Sequence, residues 1–219
     1  MEIDLMCLYP KTQRKATDRA ESLQEIEANR IIARRFGHEF FDGDRKTGYG
    51  GYNYNPKCWT DTTKVFVEHY NLEDGDRVLD LGCGKGFMIY DMIRQYPNLN
   101  IVGIDISEYA IENSKLEVRE LLEVGTADHI LYPDNYFDLV ISINTIHNLP
   151  IDRCTIAVQE IERVSKGKSF ITVDAWNTPE EEARMRAWNL TALTMMSCEE
   201  WKRFFKDNGY TGDYWWFIP

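Results

Sequence analysis

Three glycines within five residues, in the segment LGCGKG at residues 81 to 86, are the feature that most restricts the fold of this chain. An apolar stretch before them predicts a strand over 77–81, and the stretch after them predicts a helix over 86–96, stopped by Pro97. Glycine lets the chain turn sharply and leaves backbone amides open to a ligand at the start of the next helix. By itself such a loop is a weak signal, because an ordinary tight turn has the same composition.

The glycine loop belongs to a regular alternation of strand and helix patterns. The pattern predicts strands over 77–81, 101–105, 137–143 and 169–174, and helices over 60–70, 86–96, 107–122 and 154–164. This alternation indicates an α/β fold, a doubly wound and mostly parallel sheet with helices on both faces. In such sheets ligands bind beyond the carboxyl ends of the strands, where the strand order reverses.

An acidic residue stands at the carboxyl end of the second predicted strand. Asp105 lies 23 residues after Gly82, a spacing at which nucleotide-binding folds place a carboxylate on the ribose hydroxyls. The loop and Asp105 together predict a nucleoside site. The loop departs from the dinucleotide fingerprint G-x-G-x-x-G, and Asp80 just before it would repel a pyrophosphate but can orient an amino group. NAD is therefore not the expected ligand.

Composition and charge argue against several classes of protein. With 219 residues and 43% hydrophobic side chains, the chain is long and apolar enough for one α/β domain. A formal charge of −11 argues against nucleic acid as a partner. Neither a membrane-spanning run nor a signal-peptide pattern is evident, and the five scattered cysteines form no CxxC pair. We therefore expect a cytoplasmic protein without a metal site or a membrane partner.

Four ordered motifs resemble those of class I S-adenosylmethionine-dependent methyltransferases of the small-molecule type. They are VLDLGCGKG at 78–86, GIDIS at 103–107, GTADHILYPDNYFDLVIS at 125–142 and NTIHNL at 144–149. Together they cover roughly residues 75 to 175 in the expected order. The resemblance implies a Rossmann-like sheet of seven strands, with S-adenosylmethionine as cofactor.

The resemblance also implies which residues contact the cofactor. The first motif would hold the methionine part, Asp105 the ribose and Asp128 the adenine amino group. The full set of expected contacts in the motifs is Asp80, Gly82, Cys83, Gly84, Asp105, Ile106, Asp128, His129 and Asn144. Alternatives stay open, since Asp80 can tie down the loop and Asp128 can be a turn residue. Cys83 is interpreted as a small loop residue and not as a nucleophile.

A segment rich in glycine and tyrosine precedes the first motif. Residues 42–56, DGDRKTGYGGYNYNP, have neither helical nor strand periodicity and predict a loop. The segment resembles the stretch that folds over the cofactor in several small-molecule methyltransferases, and aromatic faces attract a sulfonium cation. Tyr49 and Tyr54 are the expected cofactor contacts, and Tyr52 is expected to reach the substrate. The alternative is that these tyrosines pack against the N-terminal helix.

The remaining patterns divide the chain. A polar helix is predicted over 12–36, and we expect residues 1–58 to form a helical arm and lid and residues 59–219 to form the methyltransferase domain. The family closes its sheet with an antiparallel hairpin, but here only 212–218 is an evident strand, with 191–196 as a candidate for its partner. Without that strand, a second subunit of a homodimer would cover the sheet edge.

The expected chemistry is methyl transfer to a small-molecule acceptor. His147 follows the fourth strand and has the right pKa range for a general base, with a structural role as the alternative. Trp176 and Arg184 follow the fifth strand and are expected near the substrate, although a solvated helix face also explains Arg184. We expect an oxygen nucleophile on a sugar or natural-product intermediate. Nitrogen, or a cofactor-binding scaffold without catalysis, is the alternative.

Overall fold

A sheet of six strands, all of them parallel, runs through the computed structural model, which describes residues 1–11 and 22–218. The strands are β1 Arg77–Leu81, β2 Asn100–Asp105, β3 Leu122–Val124, β4 Leu139–Ile143, β5 Ser169–Asp174 and β6 Asp213–Phe217. Their spatial order is β3-β2-β1-β4-β5-β6. The order therefore reverses between β1 and β4, which opens a crevice at the carboxyl ends of these two strands.

Eight α-helices occur in the described part of the chain, and most of them cover the two faces of the sheet. They are α1 Leu23–Ala33, α2 His38–Phe41, α3 Pro56–Tyr70, α4 Phe87–Gln95, α5 Glu108–Glu112, α6 Ile151–Val164, α7 Pro179–Trp188 and α8 Cys198–Asp207. No helix among residues 1–11 and 22–218 has the length and apolar character needed to cross a bilayer.

Alternating side chains of the strands supply two apolar layers, one on each face. On one face Leu79 and Val140 pack with Val158 of α6, and on the other Leu139 and Phe170 pack in the cluster that contains α3 and α4 side chains. All six residues of β5 are buried, as expected for a central strand of a parallel sheet. Apart from the segment 107–122, the helices and the strands between 77 and 174 follow the predicted alternation.

The predicted helix over 107–122 is wrong over most of its length. Ser107 caps α5 as expected, with its hydroxyl accepting from the Ala110 amide at 2.9 Å, but α5 ends at Glu112. The chain then turns through a short 3-10 helix and pairs as β3 with β2, with Leu122 opposite Gly103. A continuous helix would leave the backbone of β2 unpaired on that side, and this tertiary requirement overrides the helical pattern.

The expected antiparallel hairpin is also wrong. Residues 191–196 form no strand, and β6 pairs in parallel with β5 from Phe170 opposite Asp213 to Asp174 opposite Phe217. The chain itself covers the outer edge of β6. The Ile3 amide donates to the Tyr214 carbonyl at 3.1 Å, and the Tyr214 amide donates to the Met1 carbonyl at 3.0 Å. Edge pairing therefore gives no reason to invoke the expected partner subunit.

Part of the predicted N-terminal helix lies outside the described residues. Residues 12–21 are not described, whereas α1 begins after the N-cap Ser22 and ends at Ala33, short of the predicted end at residue 36. Arg30 fastens the helix to the segment after α7 by donating to the Asn189 carbonyl at 3.1 Å. Leu5, from the start of the chain, packs in the same apolar cluster as β1 and β4. The division at residue 58 stays a prediction.

Two leucines of contrasting burial test this account of the core. Leu79 in β1 is 0% exposed, whereas Leu131 is 82% exposed. Leu79→Ala should lower the free energy of unfolding by about 2–5 kcal/mol, because it removes buried methyl groups and leaves a cavity. Leu131→Ala should change that free energy by no more than about 0.5 kcal/mol. Urea unfolding measures both, and equal effects would contradict the assignment of Leu79 to the core.

Candidate active site

A cavity of about 550 Å³ opens at the carboxyl ends of β1, β2, β4 and β5. Its walls come from the glycine loop (residues 82–86), the aromatic lid (residues 42–56), the segment after β4 and the segment after α7. The volume is typical of a pocket for one small-molecule ligand or a ligand pair. The cavity lies at the point of strand-order reversal that the alternation predicted.

The glycine loop is shaped by its neighbours on β2 and β4. Gly82 has a φ of 88°, and a Cβ at that position would lie 1.9 Å from the Thr145 hydroxyl oxygen, so only glycine fits. The Gly84 amide donates to Asp105 Oδ2 at 2.7 Å, and the Ser107 amide donates to Asp105 Oδ1 at 2.8 Å. Asp105 thus fixes the loop while it lines the cavity.

Asp80 places a second carboxyl group in the same wall. Its side chain is 4% exposed, and no donor in the described part of the chain makes a hydrogen bond to it. Burial, together with the charge of Asp105, raises the pKa of Asp80 to about 8. A buried carboxyl without a donor is costly, so this wall is suited to a ligand that brings a cationic or donor group.

The surroundings of Cys83 are consistent with a small loop residue and not with a nucleophile. It lines the cavity, but burial, reinforced by the charges of Asp80 and Asp105, raises the pKa of its thiol well above the usual value. A thiolate is therefore disfavoured there.

One carboxylate, that of Asp42, anchors the aromatic lid. Asp42 Oδ2 accepts from Lys85 Nζ in the glycine loop at 2.6 Å and from the Tyr109 hydroxyl of α5 at 2.6 Å. Asp42 Oδ1 accepts from the Tyr52 amide at 3.1 Å. The Tyr52 ring then stacks on Phe87 with a centroid distance of 5.0 Å. The lid is tied directly to the loop that it covers.

The lid tyrosines divide between the cavity and the body of the protein. Tyr49 and Tyr52 line the cavity, with their ring centroids 4.5 Å apart. Tyr54, expected to reach the cofactor, does not line it. The Tyr54 hydroxyl instead donates to the buried Asp91 at 2.5 Å, and its ring packs edge-on against Tyr90. The structure therefore turns Tyr54 toward α4.

The segment after β3 contributes different residues from those expected. Gly125, Thr126 and Ala127 line the cavity, but Asp128 and His129 do not. Asp128 is held by Arg153, whose Nη2 donates to Asp128 Oδ1 at 2.8 Å, and it also accepts from the Thr126 hydroxyl. The expected adenine contact is thus engaged in an ion pair outside the cavity.

His147 and Asn144, in the segment after β4, line the cavity as expected. His147 is 2% exposed, and its Nδ1 accepts from the Asp174 amide at 3.2 Å, so in the neutral ring the proton is assigned to Nε2. His147 Nε2 lies 3.9 Å from Asp174 Oδ2. Asn144 adopts a φ of 52° and accepts from the Thr172 hydroxyl at 3.1 Å. Both side chains are thereby anchored on β5.

Two expected substrate residues lie away from the cavity wall. Trp176 is buried beneath the Arg186 guanidinium, which lies 5.1 Å from its ring centroid, and Arg184 is exposed on α7. The chain instead brings other side chains to the cavity, which the motif patterns did not indicate: Tyr9, Trp59, Trp188, Asn189, Leu190 and Phe217. Of these residues, only Phe217 could have been expected from the sequence, because it lies near the end of a predicted strand. In residues 1–11 and 22–218 no group of three His, Cys, Asp or Glu is arranged to hold a metal ion.

The raised pKa of Asp80 makes a prediction for the protein without ligand. The Asp80 carboxyl titrates at about pH 4 in the unfolded state and at about pH 8 in the folded state. Between these two pH values the unfolded state holds fewer protons than the folded state. The free energy of unfolding therefore falls as the pH rises through this interval. Asp80→Asn removes this loss. The stability of the variant relative to wild type should grow by up to about 1.4 kcal/mol per pH unit across this interval. Urea unfolding at several pH values measures it.

Asp128→Asn provides the control for that titration. Burial raises the pKa of Asp128, but hydrogen bonds from Arg153 and Thr126 outweigh burial and lower it. Its contribution is lost only as the pH falls through that lowered value, below the interval tested. The Asp128→Asn difference should therefore stay constant with pH, and a constant Asp80→Asn difference would contradict the raised pKa.

Comparisons with known proteins agree with this fold. A profile of the methyltransferase domain family matches residues 72–209, and a profile of protein-L-isoaspartate(D-aspartate) O-methyltransferases matches residues 4–129. Phosphoethanolamine N-methyltransferase 1 of Arabidopsis thaliana is 40% identical over 91 residues, which cover 39% of this chain and 18% of that protein. The tRNA (carboxymethyluridine(34)-5-O)-methyltransferase of Arabidopsis thaliana is 26% identical over 184 residues, 83% of this chain and 42% of that protein.

This chain spans less than half the length of either of these relatives. Among solved structures, the YcgJ protein from Bacillus subtilis has the same fold, with a TM-score of 0.55 and 21% identity over 67% of this chain and 66% of that one. The methyltransferase domain profile covers β1 through β5, the glycine loop and the segments after β4 and α7, but not the aromatic lid. The chain therefore belongs to the class I S-adenosylmethionine-dependent methyltransferase family.

Proposed function

We propose that this protein transfers the methyl group of S-adenosylmethionine to a small-molecule acceptor bound in the same cavity. The observation that carries the proposal is the Asp80 carboxyl, buried beside the glycine loop without a donor from the described residues. An α-amino group is a cation with hydrogen-bond donors, and it fits such a carboxyl directly or through a water. Bare backbone at Gly82 and Gly84 leaves room for the rest of an amino acid.

The other cavity residues have roles in this proposal that follow from their chemistry. Asp105 has one amide bound to each carboxylate oxygen, and the remaining lone pairs suit the two hydroxyls of a ribose. Ile106 lies next to it in the cavity wall. Thr126 and Ala127, and not Asp128, form the wall of the cavity around the adenine. The rings of Tyr49 and Tyr52 shield the sulfonium from water.

Bound S-adenosylmethionine supplies a methyl group that is already activated on a sulfonium, so the protein needs to align the nucleophile and, for some acceptors, to remove a proton. His147 is poorly suited to remove that proton, because its Nδ1 accepts from the Asp174 amide and its neutral ring then carries the proton on Nε2. We therefore propose that His147 is a positioning residue. Its ring holds Asp174, and its backbone carbonyl accepts from the Leu193 and Thr194 amides, each at 3.0 Å.

This assignment changes the expected nucleophile. A hydroxyl acceptor needs a base during transfer, whereas an amine that enters unprotonated does not. Nitrogen therefore replaces oxygen as the favoured atom, and a relative named as a phosphoethanolamine N-methyltransferase is consistent with it. The relative named as a tRNA methyltransferase raises RNA as a second acceptor class. The net charge of −11 argues against RNA, since phosphate recognition needs a basic surface.

Calorimetric titration with S-adenosylmethionine, S-adenosylhomocysteine and NADH tests the cofactor assignment. The first two should bind and NADH should not. Asp105→Ala should weaken S-adenosylhomocysteine binding by about 1–3 kcal/mol, because it leaves ligand hydroxyls unpaired and loosens the glycine loop. Asp128→Ala, which removes a carboxylate outside the cavity, is the matched control and should leave the affinity nearly unchanged. The reverse ranking would contradict the proposed ribose and adenine ends.

Acceptor turnover separates an enzyme from a binding module. A panel of amines, hydroxyl compounds, carboxylates and transfer RNA is incubated with S-adenosylmethionine, and the S-adenosylhomocysteine formed is measured. Formation with an amine supports the proposal, and formation only with RNA supports the second candidate. Cofactor binding with no turnover on any acceptor class would favour a scaffold or sensor.

His147→Asn and His147→Ala test the positioning role. Asparagine can keep an acceptor near the Asp174 amide, so His147→Asn should retain turnover to within about tenfold, whereas loss of a general base costs about 10²–10⁴-fold. His147→Ala should lose more. If His147 is the base, both variants lose turnover equally and the acidic limb of the pH profile of kcat disappears.

A further inference from the structure

We infer that the hydroxyl of Tyr52, in the aromatic lid, donates a hydrogen bond to the α-carboxylate of S-adenosylmethionine. The inference rests on the proposed function and deepens it, because it names the protein group that recognises one end of the cofactor. The amino-acid end of that cofactor carries a carboxylate next to its ammonium. Asp80 suits the ammonium, so the carboxylate needs a hydrogen-bond donor close to Asp80.

The glycine loop does not supply this donor. The Gly82 and Cys83 amides both donate to the Ile104 carbonyl, at 2.7 and 3.1 Å. The Gly84 amide donates to Asp105 Oδ2 at 2.7 Å. Each amide has one hydrogen, so these three are already occupied by β2. A carboxylate beside the loop therefore needs a donor from a side chain.

The Tyr52 hydroxyl reaches the glycine loop from the lid. A Cβ on Gly84 would lie 3.4 Å from Tyr52 Cε1 and 3.7 Å from the Tyr52 hydroxyl oxygen. Tyr52 lines the cavity, and its hydroxyl oxygen is open to it. Within residues 1–11 and 22–218 this hydroxyl makes no hydrogen bond. The lid thus presents an unused hydrogen-bond donor directly beside the loop.

The surroundings of this hydroxyl keep it protonated. Burial, and after it the charges of nearby acidic groups that include Asp80 and Asp105, raises the pKa of Tyr52 well above its usual value. The phenol therefore remains a donor at neutral pH. Two carboxyl groups alone would repel an anionic oxygen, and a protonated phenol near them offers that oxygen a favourable contact.

The position of Tyr52 is fixed by contacts that leave its hydroxyl unused. Its amide donates to Asp42 Oδ1 at 3.1 Å. Its ring stacks on Phe87 with a centroid distance of 5.0 Å, and it packs at a tilt against Phe41 at 5.5 Å and Tyr49 at 4.5 Å. A donor that is already held in place loses little conformational entropy when a ligand binds.

The two cationic side chains near the loop are engaged by the lid. Lys85 Nζ donates to Asp42 Oδ2 at 2.6 Å, and Lys85 does not line the cavity. Arg45 does line it, but its guanidinium donates to the Gly48 carbonyl at 3.3 Å and to the Tyr49 carbonyl at 3.2 Å. A carboxylate would compete with the lid backbone for Arg45, whereas the Tyr52 hydroxyl has no protein acceptor to give up.

Two ligands that differ only in the carboxylate test this contact. Calorimetry measures the binding of S-adenosylhomocysteine and of its decarboxylated analogue, which keeps the ammonium. Tyr52→Phe should weaken S-adenosylhomocysteine binding by about ten- to hundredfold, because a hydrogen bond to a charged group is lost, and should change the affinity for the analogue by less than about twofold.

Tyr54→Phe is the matched control, since it removes a lid hydroxyl that lies outside the cavity and donates to Asp91. This variant should bind both ligands like wild type. Urea unfolding separates the two hydroxyls further. Tyr52→Phe should be as stable as wild type, because its hydroxyl has no protein partner, whereas Tyr54→Phe should be less stable because Asp91 loses a donor.

The outcomes separate this inference from the proposed function. If Tyr52→Phe binds S-adenosylhomocysteine like wild type, or weakens both ligands equally, the inference is wrong and the cofactor assignment stands. A carboxylate-specific loss in Arg45→Met but not in Tyr52→Phe would likewise overturn it and assign the carboxylate to Arg45. If wild-type protein does not bind S-adenosylhomocysteine at all, the proposed function fails and the inference fails with it.

Discussion

The hydrogen bond from the Gly84 amide to the Asp105 carboxylate joins the turn after β1 to the end of β2, and the site is organised around it. The turn needs glycine because a Cβ on Gly82 would overlap Thr145, in the segment after β4. Three strand ends are therefore brought together at one crowded point. The same closeness leaves backbone and carboxylates, with little side-chain bulk, as the floor of the cavity.

Carboxyl groups at this edge are expensive in the absence of a ligand. Burial raises the pKa of both Asp80 and Asp105, although two amide donors work against burial at Asp105. A ligand that brings positive charge or hydrogen-bond donors relieves the cost of burying these carboxyl groups, and this relief favours its binding. The cavity wall at Asp80 and Asp105 is thus complementary to a ligand of this kind.

The position of the aromatic lid depends on the carboxylate of Asp42. Asp42 joins Lys85 of the glycine loop, Tyr109 of α5 and the backbone of Tyr52, so the lid cannot shift without breaking a half-buried ion pair. Lys85 is itself buried, and the loss of one partner would leave the other charge uncompensated. The ion pair and hydrogen bonds of Asp42 therefore hold the aromatic rings of the lid above the glycine loop.

The sequence alone determined the parallel sheet, the glycine loop and the two carboxylates Asp80 and Asp105, because strand and helix periods and short motifs are local and survive without knowledge of contacts. Only the tertiary structure decided which side chains reach the cavity. Arg153 holds Asp128 away, Asp91 turns Tyr54 aside, and Tyr9, Trp59 and Phe217 meet from positions far apart in the chain. It also decided that 107–122 yields an edge strand and that β6 runs parallel, since pairing of strand edges is a non-local demand that outweighs local propensity.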